Sequence, residues 1–206
     1  MTEEPYAHRF LNWIKARLDE MDATLTSIDK SAGTLHSSAK KQAEEALSQI
    51  SAGRKAFEEA IIKQQTESEA AWTGAKIALE ADWAFFEATV EDYVKNSPLP
   101  SQEAAKLFKA RAEAQGKAWD ETISALGKKA GMASAKGKQA IDDALTHLKR
   151  QADEAKAKLE ARQKARSESW AAFKTALQES RAAFDKASHK SLENYEVDPF
   201  TFIQNL

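Results

Sequence analysis

The stretch that decides the fold is KSAGTLHSSAKKQAEEALSQI (Lys30–Ile50), because it recurs with substitutions as KKAGMASAKGKQAIDDALTHL (Lys128–Leu148). The offset is 98 residues and needs no gap. Bulky positions elsewhere in the chain match at the same spacing, as Trp72 does with Trp170. This agreement indicates an internal duplication in which each copy is one supersecondary element.

Proline marks the boundary between the two copies. Pro98 and Pro100 lie mid-chain, and the other two prolines, Pro5 and Pro199, lie near the ends. Proline breaks helices, and Ser101 is a natural N-cap for a helix that follows. The predicted organisation is therefore a first helical repeat unit at 1–97, a Pro-rich turn at 98–101, a second helical repeat unit at 102–195 and an apolar C-terminal tail at 196–206.

The spacing of apolar residues predicts an all-α fold. They recur every three or four residues, as on one side of a helix, and no strand-like alternation competes. Ala, Glu, Lys, Gln and Leu, which favour helix, dominate the composition. In the first copy the apolar stripe consists of Ile14, Leu18, Met21, Leu25, Ile28, Ala32, Leu35, Ala39, Ala43, Ala46, Ile50, Phe57, Ile61, Trp72, Ala75, Leu79, Trp83, Phe86, Val90 and Tyr93.

Two arrangements of long antiparallel helices fit this stripe. In a coiled-coil-like hairpin, each copy is one helix of about 135 Å. In an elongated four-helix bundle, each copy folds back at the shared Gly33 and Gly131, where glycine can adopt a left-handed cap, and Ser37 restarts the helix. Ser51–Gly53 is a further possible break in the first copy. Apolar surface at the copy ends is wider than a two-helix seam needs, which favours a bundle formed within the chain or by dimerisation.

Composition limits where and with what the protein acts. The chain has no cysteine, and its acidic N-terminus lacks the layout of a signal peptide. No apolar run reaches the length of a transmembrane segment. We therefore expect a cytoplasmic protein. Net charge is −2, but residues 1–98 hold 11 basic against 17 acidic residues and residues 99–206 hold 19 against 15.

The sequence carries no motif for catalysis or for a cofactor. Gly-rich phosphate loops, nucleophile elbows and His-Glu-x-x-His zinc motifs are absent, which predicts a non-enzymatic protein without a cofactor. A weak metal-ligand candidate is the helical face of Asp185, His189 and Glu193, although solvated i,i+4 pairs explain it better. The basic run Lys149–Arg166 lacks interleaved aromatic residues, so nucleic-acid binding is not expected.

Partner or surface binding is the function that the sequence favours. The candidate residues are Trp13, Trp83, Phe85, Phe86, Phe200, Phe202 and Ile203. We expect a helical scaffold or protein-interaction module that self-associates as a homo-oligomer or binds a helical partner. The alternative is an amphipathic protein that coats a lipid, membrane or polymer-inclusion surface, including anionic lipid.

Overall fold

A computed structural model of the chain describes residues 6–35, 37–64, 69–96, 101–131, 135–164 and 170–192. Within these ranges the backbone forms six α-helices and no strand, so the predicted all-α class is confirmed. The helices are α1 (Tyr6–Ala32), α2 (Ser37–Gln64), α3 (Glu69–Asn96), α4 (Ser101–Ala130), α5 (Ala135–Lys164) and α6 (Trp170–Leu192).

The described ranges hold six helices, whereas the two predicted arrangements have two or four. The expected break after Ala32 and the helix start at Ser101 are both present, but α2 runs through Ser51–Gly53 without interruption. The missed breaks lie between α2 and α3 and between α5 and α6. The sequence from Lys63 to Glu69 is KQQTESE, so about two turns of helix there would have no apolar side chain to bury.

The first break is made by a tightened helix end. Gly33 N–H donates to the carbonyl of Asp29 (3.3 Å), and Thr34 N–H donates to the carbonyl of Ser31 (2.9 Å). The Thr34 hydroxyl donates to the same carbonyl (2.8 Å). Gly33 does not have a left-handed φ, so the expected left-handed cap is wrong and an i→i+3 turn ends the helix instead.

Contacts divide the chain into two compact units. The continuous unit is Arg17–Arg111, and the split unit combines Met1–Ala16 with Ala112–Leu206. Helices α1 and α4 each contribute residues to both units. The two units are defined by contacts between residues, whereas the two copies are defined by sequence similarity. The units therefore do not test the duplication, and the duplication and its boundaries stay predictions.

The core of the continuous unit follows the predicted apolar stripe. Helix α2 packs against α3. Phe57, Leu79, Phe86 and Val90 are among the side chains buried there. Each large apolar side chain buried in this way stabilises the fold by roughly 1.5–3 kcal/mol. Among stripe residues with described side chains, Leu25 and Trp83 are half-buried and the others are buried.

The core of the split unit centres on Trp119, which is fully buried. Helix α5 packs against α6, and the rings of Trp119 and Phe184 meet edge-to-face at 5.3 Å between centroids. Ala16, from the first part of α1, belongs to the same buried cluster as Trp119 and Leu148. The split unit therefore has a core that joins residues from both ends of the sequence.

Candidate interaction surface on helix α3

The inner face of α3 carries a stack of aromatic rings between two arginines. Trp83 stacks on Phe86 with ring centroids 4.9 Å apart. The Arg17 guanidinium lies over Trp83 at 5.1 Å, and that of Arg111 lies over Phe86 at 5.6 Å. Cation–π contacts of this kind favour one orientation of the rings. The stack thus fixes the rotation of α3 about its own axis.

An ion-pair network lies beside this stack and ties three helices together. Arg111 of α4 donates from Nε to Glu20 of α1 (2.8 Å) and also pairs with Glu87 of α3. Arg111 and Glu20 are both 0% exposed. A buried charge is tolerated when it is paired and hydrogen-bonded. Glu20 and Arg111 therefore hold α1, α3 and α4 in register.

A second polar cluster joins α1 to α4 in the continuous unit. The Ser31 hydroxyl donates to Glu103 (2.6 Å), and Lys106 donates to the other oxygen of that carboxylate (2.7 Å). The hydrogen bonds from Lys106 and Ser31 lower the pKa of Glu103. Burial, with the nearby charge of Glu103, raises the pKa of Tyr93 to about 12. These groups help to hold the helices together.

The opposite, outer face of α3 is apolar but exposed to solvent. Ile77 is 68% exposed and Phe85 is 59% exposed. The remaining side chains of this outer face are small and exposed. We define the outer face of α3 as Gly74, Ile77, Ala78, Ala81, Ala84, Phe85 and Ala88. Because the inner face is also apolar, α3 presents apolar surface on both sides, which is unusual for a helix at the surface of a protein.

Helix α6, whose sequence matches α3 at the offset of 98 residues, does not repeat this outer face. At an offset of 98 residues, Ile77 corresponds to Thr175 and Ala81 to Glu179, both exposed. Ala88 corresponds to the exposed Lys186, while Phe85 corresponds to Ala183. Helix α6 therefore forms with polar residues at positions that match the outer face of α3. The apolar residues on α3 have to be explained by something other than packing within the described part of the continuous unit.

Phe85 is positioned by a small residue on the neighbouring helix. A Cβ atom added to Gly53 of α2 would lie 3.9 Å from Cδ1 of Phe85. The ring thus passes over Gly53 without being covered by it. At the offset of 98 residues, Gly53 corresponds to Gln151 and Phe85 to Ala183. The larger side chain of the pair is therefore on α3 in one case and on α5 in the other. At this pair of positions, a ring lies on the surface of α3 and an alanine lies at the matching position of α6.

The structure separates the four predicted aromatic residues that it describes. Phe85 lies on the outer face of α3, whereas Phe86 is buried and Trp83 is half-buried in the arginine stack. Trp13 is half-buried in the split unit. The predicted tail residues Phe200, Phe202 and Ile203 lie outside the described residues. Ile77 is not among the residues predicted from the sequence, although its spacing of eight residues from Phe85 places both within about 80° on the helix.

A small cavity opens between α5 and α6 in the split unit. Its volume is about 70 Å³, and Gln151, Ala155, Ser180 and Ala183 are among the residues that line it. The Ser180 hydroxyl and the Gln151 carbonyl oxygen have no hydrogen-bond partner among the described residues. A polar cavity of this size has room for water. It is too small for an organic ligand.

The basic run on α5 is partly neutralised within its own copy. Lys156 pairs with Asp120 (2.6 Å), and Lys158 pairs with Glu179 (3.3 Å). Arg150 pairs with Glu154 one turn away (2.8 Å). These pairs give α5 a mixed-charge surface.

In the part of the chain that the structure describes, no three acidic or histidine side chains are close enough to hold a metal ion. Of the predicted metal ligands, Glu193 and the side chain of His189 lie outside that part; Asp185 is on α6. Across the same described ranges, every helix is too short or too polar to cross a lipid bilayer.

Comparison of the chain with protein-family models, curated proteins and solved structures finds no match. Function is therefore inferred from the residues of this chain alone.

Proposed function

We propose that this protein is a non-enzymatic helical scaffold or interaction module that self-associates. The observation that carries the proposal is the outer face of α3, with Ile77 and Phe85 both more than half exposed. Exposed apolar faces of this kind are typical of sites where a second helix binds. Helix α6 has Thr175, Glu179 and Lys186 at the matching positions. Since α6 forms with polar residues there, apolar residues at these positions are not required for such a helix to fold.

The non-enzymatic assignment rests on where the charged groups lie. The closely paired charges Glu20 and Arg111 are fully buried beside aromatic rings, out of reach of a substrate. The sequence has no cysteine and lacks the usual nucleophile motifs. The outer face of α3 consists of Gly, Ala, Ile and Phe residues, which can bind a partner but supply no acid, base or nucleophile.

The test is sedimentation equilibrium of the whole chain over a range of concentration. We expect reversible association of the wild type, and loss of association in the double variant Ile77→Thr/Phe85→Ala, which takes its residues from α6. The matched control is Ile62→Thr, which removes an exposed isoleucine from α2 (54% exposed). A chain that stays monomeric at every concentration, and binds no helical partner through this face, refutes the proposal.

A second candidate function is the coating of a lipid, membrane or polymer-inclusion surface, which the exposed ring of Phe85 favours. The charge of α3 speaks against an anionic surface, because the helix carries six acidic residues and two lysines. Co-sedimentation with vesicles of neutral and of anionic lipid separates the cases. Binding that requires Ile77 and Phe85 supports coating, and no binding to either vesicle removes it.

A further inference from the structure

On the outer face of α3, the sizes of the side chains are arranged symmetrically about Ala81. Counted outward from Ala81, small residues lie at three and seven positions on each side, and large apolar residues lie at four positions on each side. The large residues are Ile77 and Phe85. The small residues are Ala78 and Ala84 at three positions and Gly74 and Ala88 at seven. The centre of this symmetric pattern is itself a small residue.

The seven residues form one continuous band on the helix. At about 100° per residue, all of them lie within roughly 60° of the direction of Ala81. From Gly74 to Ala88 the band is about 21 Å long. Each is exposed in the structure, so nothing in the described part of the continuous unit covers the band.

We infer that α3 pairs with α3 of a second copy of this chain, antiparallel, about a two-fold axis through Ala81. The inference rests on the proposed function and names the surface and the partner. In such a pair, Ile77 lies level with the partner's Phe85, and Gly74 lies level with the partner's Ala88. Ala81 meets the partner's Ala81 at the axis. A two-fold interface requires a self-complementary surface, and the pattern about Ala81 is self-complementary.

The small residues allow the two helices to approach closely enough for the large ones to pack. Phe85 and Ile77 lie on opposite sides of the Ala81 direction, about 40° away on each side. In the antiparallel pair, Phe85 therefore lies over the partner's Ala78, and Ile77 lies over the partner's Ala84. Large side chains meet small ones at each level. This alternation is the arrangement that packs two helices without voids.

The size of the band predicts a weak dimer. A band about 21 Å long and 120° wide covers roughly 200 Å² of each helix, so a pair buries roughly 400–500 Å². Stable interfaces bury about 1,000 Å² or more, and smaller ones are transient. We therefore expect monomer at low micromolar concentration and dimer only at much higher concentration.

Acidic residues lie at the edges of the band and predict how salt affects the pair. Glu80 and Asp82 flank Ala81, so in the pair each lies near its own counterpart across the axis. Added salt screens this repulsion, and association should tighten as salt rises. Binding to an anionic surface would weaken instead. The acidic balance of α3 also counts against an anionic lipid as the occupant.

The absence of cysteine from the sequence permits a direct test by disulfide cross-linking of the whole protein. Ala81→Cys should cross-link to itself. Gly74→Cys mixed with Ala88→Cys should cross-link to each other, while each alone should not, because like positions lie about 21 Å apart. Gly74 has open space for an added Cβ. The control is Gly127→Cys on α4, which is also open and reports random collision.

Sedimentation equilibrium gives the second readout. We expect Ile77→Thr/Phe85→Ala to weaken dimerisation by at least about 100-fold, since four large apolar contacts are lost per dimer. Ala81→Glu should act similarly by placing two carboxylates at the axis, and circular dichroism should show that both variants remain helical. Retained dimerisation in these variants overturns the inference.

The outcomes distinguish the two proposals. Self-cross-linking of Gly74→Cys alone indicates a parallel pair and overturns the antiparallel one. A dimer in which all three designed cysteines react no faster than Gly127→Cys leaves self-association standing but removes α3 as its interface. A chain that is monomeric up to high concentration overturns self-association and the α3 pair together.

Discussion

Replacing Arg111 with methionine should destabilise the protein more than the removal of any surface charge. The substitution keeps an unbranched side chain but removes the guanidinium that pairs with Glu20, and both residues are 0% exposed. Loss of one partner from a buried pair costs about 3–5 kcal/mol, because the other charge stays buried and uncompensated. If the chain unfolds as one unit, Tm should fall by about 6–20 °C.

The assay is urea unfolding followed by far-ultraviolet circular dichroism. The matched control is Lys158→Met, whose partner Glu179 is exposed and lies 3.3 Å away. Exposed pairs contribute little, so this variant should lose less than about 1 kcal/mol. A similar loss of stability in the two variants would contradict the assignment of Arg111 as a structural anchor.

The double variant Glu20→Leu/Arg111→Met tests the physical reason. When both fully buried charges are replaced by apolar groups, no fully buried carboxylate is left without Arg111, and such replacements are often neutral or stabilising. Glu87, whose side chain is 12% exposed, still loses Arg111. We therefore expect the double variant to recover part of the stability lost by Arg111→Met. Additive losses from the two substitutions would mean that the pair itself is not the source of the effect.

Three further predictions concern single polar groups. Because burial raises the pKa of Tyr93 to about 12 from a reference of 10.0, stability should fall as pH rises between these values. The urea midpoint of Tyr93→Phe should lack this fall. The pKa of Glu103 is lowered by Lys106 and Ser31, so stability should decline as pH falls below its reference of 4.5. Ser31→Ala should move that pKa upward in an NMR titration, and an unchanged pKa would exclude the hydroxyl as a cause. Gln115 is 1% exposed, and its amide has no hydrogen-bond partner among the described residues. Gln115→Met should therefore raise the free energy of unfolding by about 1–3 kcal/mol, and a loss would show that the amide is satisfied.

Much of the fold could be predicted from the spacing of apolar residues. A buried helix face needs an apolar side chain every three or four positions, and stripe residues such as Ile28, Ile50 and Leu79 are buried as expected. The break at Gly33 could be predicted because it recurs in the second copy. The break after Gln64 has neither glycine nor proline to mark it. Its signal is the interval of eleven residues between Ile61 and Trp72 in the stripe.

The buried ion pair could not be predicted from the sequence. Glu20 and Arg111 are 91 residues apart and resemble the many charged residues that lie on helix surfaces. Only the packing of three helices removes them from water. For the outer face of α3, the sequence predicted Phe85 but not Ile77. The sequence shows that α3 has an unusually wide apolar surface, but it does not show which part of that surface is buried. Which apolar side is covered depends on tertiary contacts that periodicity does not encode.

The division of α1 and α4 between the two compact units has a consequence for synthesis of the protein. The continuous unit is complete once Arg111 has left the ribosome, so it can fold while the rest of the chain is being made. Ala16 is synthesised first but packs in the core with Trp119 and Leu148, which lie 103 and 132 residues later in the sequence. The start of α1 must therefore wait for the second half of the chain, and the split unit is the last to fold.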